Sequence, residues 1–254
     1  MGHSKFEPFR PSSLRLVVCV LLLACGCSKQ ETAKVGPSAP APQMKAAPPT
    51  PIDEKRAELG GTRWDPGWDR IVEQALPPEL LSNKAPRDVG RFCPRFTEMA
   101  EADKRAFWAY FFQALAGAEA GLDPKMRIRH TEPAVAVKDG VTGRAVHSEG
   151  LLQLTYEDRE RYGCDFDWER DRKLPVNDPA KTILQPKNNL ECGVRILAKQ
   201  IIDGRKPLLS QSSYWSTLRP GGTSYRVFAK QMTNVPEACG LGQKNEAKRR
   251  SRRR

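Results

Sequence analysis

Apolar positions recur at helical spacing along much of the chain. Phe107, Phe111, Ala114, Leu115 and Ala118 fall three or four positions apart, and Gly121 follows in a stop position, so the spacing predicts a helix over Glu98–Ala120. Leu190, Val194, Leu197 and Ile201 share a face between Pro186 and Gly204, which predicts a second helix over Lys187–Asp203 opened by proline. The pair Thr155 and Asp158 has capping spacing and predicts a short helix ending at Gly163. Pro179, after Asp178, reads as another first helical turn, and shorter helices are expected over 211–218 and 224–232. Only Pro133–Val146, with "AVAVKDGVTG", reads as a hairpin or irregular loop. The expected class is mainly α, one domain over 61–243.

The ends have a different composition. Met1–Arg15 carries three basic residues against Glu7, and an almost uninterrupted apolar run, Leu14–Ala24, follows. That run is too short to span a bilayer and has the form of a secretory signal over 1–24. It closes in "LLLACGCS", which resembles a lipobox, with Cys25 the expected lipidated residue and Cys27 the alternative. Residues 25–60 include "GPSAPAPQMKAAPPTP", a Pro/Ala-rich stretch without large apolar side chains, expected to act as an extended tether.

Charge follows the same division. The net charge is +12; the signal accounts for +2 and the tail "KNEAKRRSRRR", with seven basic residues against Glu246, for +6, which leaves about +4 for the middle. The basic balance therefore belongs to the ends. The tail, 244–254, reads as solvated and disordered, and with an exported chain no nucleic-acid partner is expected. Apart from Cys19, Cys25 and Cys27, the cysteines are Cys93, Cys164, Cys192 and Cys239, without CxxC or Cys/His spacing. A zinc site is not expected. Two disulfides are, in any of three pairings.

Two stretches carry candidate chemistry. In "ALAGAEAGLDP" (114–124), Glu119 projects from the edge of the apolar stripe near a helix C-terminus. The helix dipole and partial burial both disfavour its charge, which is what a general acid working near neutral pH requires. In "SEGLLQL" (148–154), Gly150 leaves room for close approach to the backbone, and the amide of Gln153 sits among core leucines where it needs partners.

The order of these pieces resembles the soluble lytic transglycosylases, lysozyme-like enzymes that cleave bacterial peptidoglycan. A helix ends in Glu and "GLDP"; then come "SEGLLQL", a short helix, "DP…TI" and "NNLECGVRILAKQI". The match spans roughly Ala106 to Ile202. The resemblance implies a lysozyme-like helical domain with Glu119 as catalytic acid and then base. Ser148, Gly150, Gln153 and Tyr214 would line the sugar cleft. Ala120 stands where the family usually has Ser, and in "SSYWSTL" only Tyr214 fits the family's Ala-Tyr-Asn segment. These departures keep open a non-catalytic peptidoglycan-binding lipoprotein, and a lysozyme-type hydrolase on the same fold is the other alternative.

The expected reaction is cleavage of the MurNAc–GlcNAc β-1,4 bond with formation of 1,6-anhydro-MurNAc ends. If the substrate's own acetamido group attacks the anomeric carbon, no second carboxylate is needed. Glu132, Glu149, Asp139 and Asp158 are the candidates for one should hydrolysis apply. His130 and His147 do not make a metal site, and nucleophile-elbow, P-loop and dinucleotide patterns are absent, so no metal or cofactor is expected. The expected partners are peptidoglycan strands and, through the lipid anchor, a membrane. The expected address is the cell envelope, facing the periplasm from the outer membrane.

Overall fold

Five aromatic residues crowd into the six positions Phe107 to Phe112, and the fold is built around the helix that carries them. The computed structural model describes residues 63–83, 85–130 and 138–241, all within one unit, 48–254. The expected signal with Cys25 and Cys27, the 25–60 tether, Glu132, the first part of the 133–146 segment and the 244–254 tail lie outside the described residues.

The class is mainly α. α1 (Pro66–Ala75) and α2 (Pro78–Leu81) lead through two 3-10 turns into α3 (Glu101–Ala120). β1 (Arg127–Arg129) and β2 (His147–Glu149) form an antiparallel pair. The chain then forms α4 (Asp158–Tyr162), α5 (Trp168–Asp171), α6 (Pro186–Ala198) with a π-helical continuation over Lys199–Asp203, and α7 (Thr223–Gln231). Among the described residues no helix is long and apolar enough to cross a membrane.

α1 forms where the sequence reading expected none. Asp65 accepts from the Gly67 amide and Pro66 occupies the first turn, so the start is capped and preset. Pro179 does the opposite: it sits in a turn, with Asp178 Oδ1 accepting from the Ala180 amide, and no α-helix starts at it; a 3-10 turn over Thr182–Leu184 comes after. Only Ser216–Leu218 of the expected 211–218 helix is helical, as a 3-10 turn. The serines before it bond locally: the Ser212 amide donates to Ser210 Oγ and the two hydroxyls pair, an alternative to the helical ladder.

α3 is buried on every side from Phe107 to Ala116 rather than along one stripe. α1 packs on it and on α6, and α7 packs on it from another side. Trp108 is met edge-on by Phe96, Phe107 and Phe111 and donates its indole N–H to Leu80 O at 2.9 Å. Phe228 of α7 meets Phe111 and Phe92. Disulfides join Cys93 to Cys239 and Cys164 to Cys192, 146 and 28 residues apart. In the chain-entropy picture they stabilise the fold by about 5 and about 4 kcal/mol respectively.

The segment after β2 is fastened to α6 at two points. Asn189, fully buried, accepts from the Leu152 amide at 2.8 Å and donates to Glu149 O and Ile183 O at 3.2 and 3.0 Å. Gly193, one turn further on, leaves the space that Leu152 fills: a Cβ there would lie 2.1 Å from Leu152 Cδ1. Gly150 has φ +80°, and its missing side chain is what lets Asn189 approach, since a Cβ would stand 2.4 Å from Nδ2. Asn189→Ala is expected to cost about 2–4 kcal/mol in a denaturant melt, because three buried backbone groups lose their partner. Gly150→Ala is expected to cost at least as much, through both positive φ and overlap.

Candidate active site

The end of α3 opens onto a cleft of about 580 Å³ lined by Glu119, Ile128, His130, Ser148, Gln153 and Arg219, together with Tyr214 and Trp215. Gly121 ends the helix in the left-handed conformation, its amide returning to Gly117 O. Glu119 is thereby left at a carboxyl-end turn, where the peptide dipoles oppose a negative charge.

Burial raises the Glu119 pKa above its ordinary 4.5; the Thr217 hydroxyl and amide, and more weakly Arg219, oppose the rise without cancelling it. Thr217 faces the carboxyl, yet Glu119 Oε1 and Thr217 Oγ1 are both buried without a well-formed hydrogen bond. The acid is therefore desolvated and loosely held, a state that favours keeping its proton.

The two-stranded pairing sorts side chains onto two faces. Ile128 pairs with Ser148 and Arg127 with Glu149. Ile128 and Ser148 line the cleft, whereas Arg127, His147 and Glu149 line a separate hollow of about 60 Å³. Glu149 is ion-paired there with Arg127 at 3.2 Å and Lys181 at 3.8 Å, so it does not serve the cleft. Ser148 Oγ and His130 Nε2 lie 2.7 Å apart. Ile128 is 44% exposed and gives the cleft an apolar surface.

Gln153, itself at φ +50°, donates from Nε2 to Gly150 O at 2.8 Å and Met126 O at 3.3 Å, and its Oε1 has no partner. Gln153 lines the cleft, and its Oε1 is enclosed there. One expectation needs correction: Gly150 is not among the lining residues, and the group that approaches it is Asn189. Tyr214 lines the cleft, and its hydroxyl donates to Asp158 Oδ2 at 2.6 Å.

The remaining candidate carboxylates are structural. Asp158 is fully buried, holds Tyr214 and accepts from the Thr155 amide at 2.8 Å, half of the expected capping pair. Asp139 accepts from the amides of Val141 and Thr142 in the turn before β2. Ala120, at the position where a hydroxyl was missed, is buried; Thr217 brings a hydroxyl to Glu119 from another element. His130, Thr217 and Arg219 had no sequence signal beyond their place in the flanking motifs.

Among the described residues no three or more His, Cys, Asp or Glu gather into a metal-binding group. A depression of about 670 Å³ lies at Pro86, Asp88, Ile201 and Ile202, where both Asp88 oxygens are taken by the Leu208 and Leu209 amides.

No family model matches the chain, and no curated protein does. Solved structures of Bd0314 DslA, a Bdellovibrio protein, are similar in fold. Its wild-type form 2 has 26% identity and a TM-score of 0.54, covering 68% of this chain and 91% of that one. Two glutamate-to-glutamine mutants of the same protein match with 26% identity and TM-scores of 0.53 and 0.54, the second covering 73% of this chain and 95% of that one.

The raised Glu119 pKa sets a pH dependence of stability. Below pH 4.5 the carboxyl is neutral folded and unfolded; as pH rises through the folded pKa, ionisation favours the unfolded chain and stability is lost. Glu119→Gln is expected to melt a few degrees above the parent at pH 7, with the difference vanishing at pH 4 in paired calorimetric scans. Tyr214→Phe removes a partner from buried Asp158 and is expected to cost about 1–3 kcal/mol.

Proposed function

We propose that the chain is a peptidoglycan lytic transglycosylase acting through Glu119. The observation that carries this reading is the cleft's acid: Glu119 is the one carboxylate among the described residues lining it, and burial raises its pKa. The ordered sequence motifs, and the likeness to a protein also solved as Glu-to-Gln mutants, support the choice of residue.

Glu119 donates its proton to the glycosidic oxygen as the C1–O bond breaks. The acetamido oxygen of the muramic sugar closes onto C1, so no protein nucleophile is required. Gln153, in the lining of the cleft, would lie against the acetamido group and help to hold it for attack. The Glu119 carboxylate then takes the proton of the C6 hydroxyl, whose oxygen displaces the acetamido oxygen from C1. The anhydro ring forms and the acid is restored. With its expected lipidation at Cys25 or Cys27, the protein would act from the envelope membrane on adjacent strands.

A second reading is hydrolysis on the same cleft. His130 lines the cleft beside Ser148. An imidazole there is suited to take a proton from attacking water.

Purified sacculi digested with the protein and analysed by mass spectrometry separate the readings. Transglycosylation yields anhydro-muramic ends one water lighter than hydrolytic ends, lost in Glu119→Gln and retained in His130→Gln. Ordinary reducing ends lost in both variants establish hydrolysis. Sacculus binding without product, surviving Glu119→Gln, establishes a non-catalytic binder.

A further inference from the structure

We infer that Arg219 reads a carboxylate carried on the muramic acid units of the substrate and so selects such strands over uncharged amino-sugar polymers. This rests on the glycan-cleaving reading above.

Arg219 lines the same cleft as Glu119. It follows the 3-10 turn Ser216–Leu218, and its guanidinium is held from behind by main-chain carbonyls. Nε and Nη2 donate to Ser213 O at 3.1 and 2.8 Å, and Nη2 also reaches Tyr214 O at 3.4 Å. These bonds orient the planar group without neutralising it. No carboxylate pairs with it among the described residues, and it is the weakest of the influences on Glu119. Nη1 makes no hydrogen bond there. An anchored guanidinium with a donor edge remaining is pre-organised for a carboxylate, because little side-chain entropy is lost on binding.

The other polar groups of the lining, Ser148, Gln153, Ser216 and Ser224, suit hydroxyls and amides and do not call for a cation. The lining's own carboxyl, Glu119, is held toward its neutral form by burial, so the anion suited to the remaining guanidinium edge is one that comes with the glycan. Muramic acid differs from N-acetylglucosamine by its 3-O-lactyl group, whose carboxylate is free on peptide-free strands and amidated when a stem peptide is attached. Intact strands present the stem's carboxylates instead. If the free lactyl group is the ligand, an amide-cleaving reaction that removes stem peptides must supply this substrate.

The full chain carrying Glu119→Gln is tested for binding, and the parent for turnover, on peptide-free strands, intact strands and chitin oligosaccharides. Carboxylate-bearing strands are expected to be favoured by about tenfold or more, the scale of a charge-assisted bond. Methyl esterification of the strands should remove the preference without altering the protein. Arg219→Gln should lower binding and turnover of carboxylate strands about tenfold more than those of chitin, and Arg219→Lys should restore part of the difference. Preference for peptide-free over intact strands assigns the lactyl carboxylate; the reverse assigns the stem. Esterified strands handled as well as free ones, or equal losses on all substrates in Arg219→Gln, would overturn the inference. Absence of any cleavage by the parent sinks the catalytic reading alone, and the binding arm still decides Arg219.

Discussion

One buried amide holds the cleft together. Asn189 is fully enclosed, and its amide bonds to backbone groups of two separate segments: Glu149 at the end of β2 with Leu152 beyond it, and Ile183 before α6. A buried amide in this position is stabilising only if every bond is made, so its environment tolerates few alternative arrangements. Gly150 must lack a side chain for Asn189 to enter, Leu152 must lie in the notch left by Gly193, and Gln153 must then turn through a positive φ. The chain that carries Ser148 and Gln153 into the cleft is thus docked against α6 by a few mutually dependent contacts.

The opposite wall is set by α3. Its burial on all sides makes it a rigid post, and its last turn presents Glu119 where dipole, desolvation and a sparse hydrogen-bond shell all favour the neutral acid. The short sheet keeps stronger charges out. By alternation it turns Glu149, Arg127 and His147 to one face and Ile128 and Ser148 to the other. Glu149 is paired with Arg127 and Lys181 away from the cleft, and among the described residues the cleft keeps an apolar surface, hydroxyls, an imidazole, one acid and one oriented guanidinium.

Helical periodicity was enough to locate α3, α6 and α7, because each has a sustained apolar face and recognisable ends: Gly121 for α3, Pro186 for α6. It was silent on α1, whose start is defined by Asp65 and Pro66 alone. It misjudged 211–218 and Pro179, where serine and aspartate side chains take backbone partners locally. Of the candidate site residues, Glu119, Ser148, Gln153 and Tyr214 meet in one cleft, while Gly150 makes room for Asn189. Propensity and spacing report which residue type tolerates a position, not which neighbour arrives there.

By itself, then, the sequence determined the mainly helical class, the major helices, the acid at a helix end and the presence of four cysteines available for pairing. These depend on contacts within a few residues and on composition. Tertiary structure decided which cysteines pair, that Glu149 and Asp158 face away from the chemistry, and that Thr217, His130 and Arg219 converge with Glu119 from segments as much as 100 positions distant. Convergence of that kind is fixed by the docking of α3, α6 and the β2 segment on one another, and no local pattern encodes it.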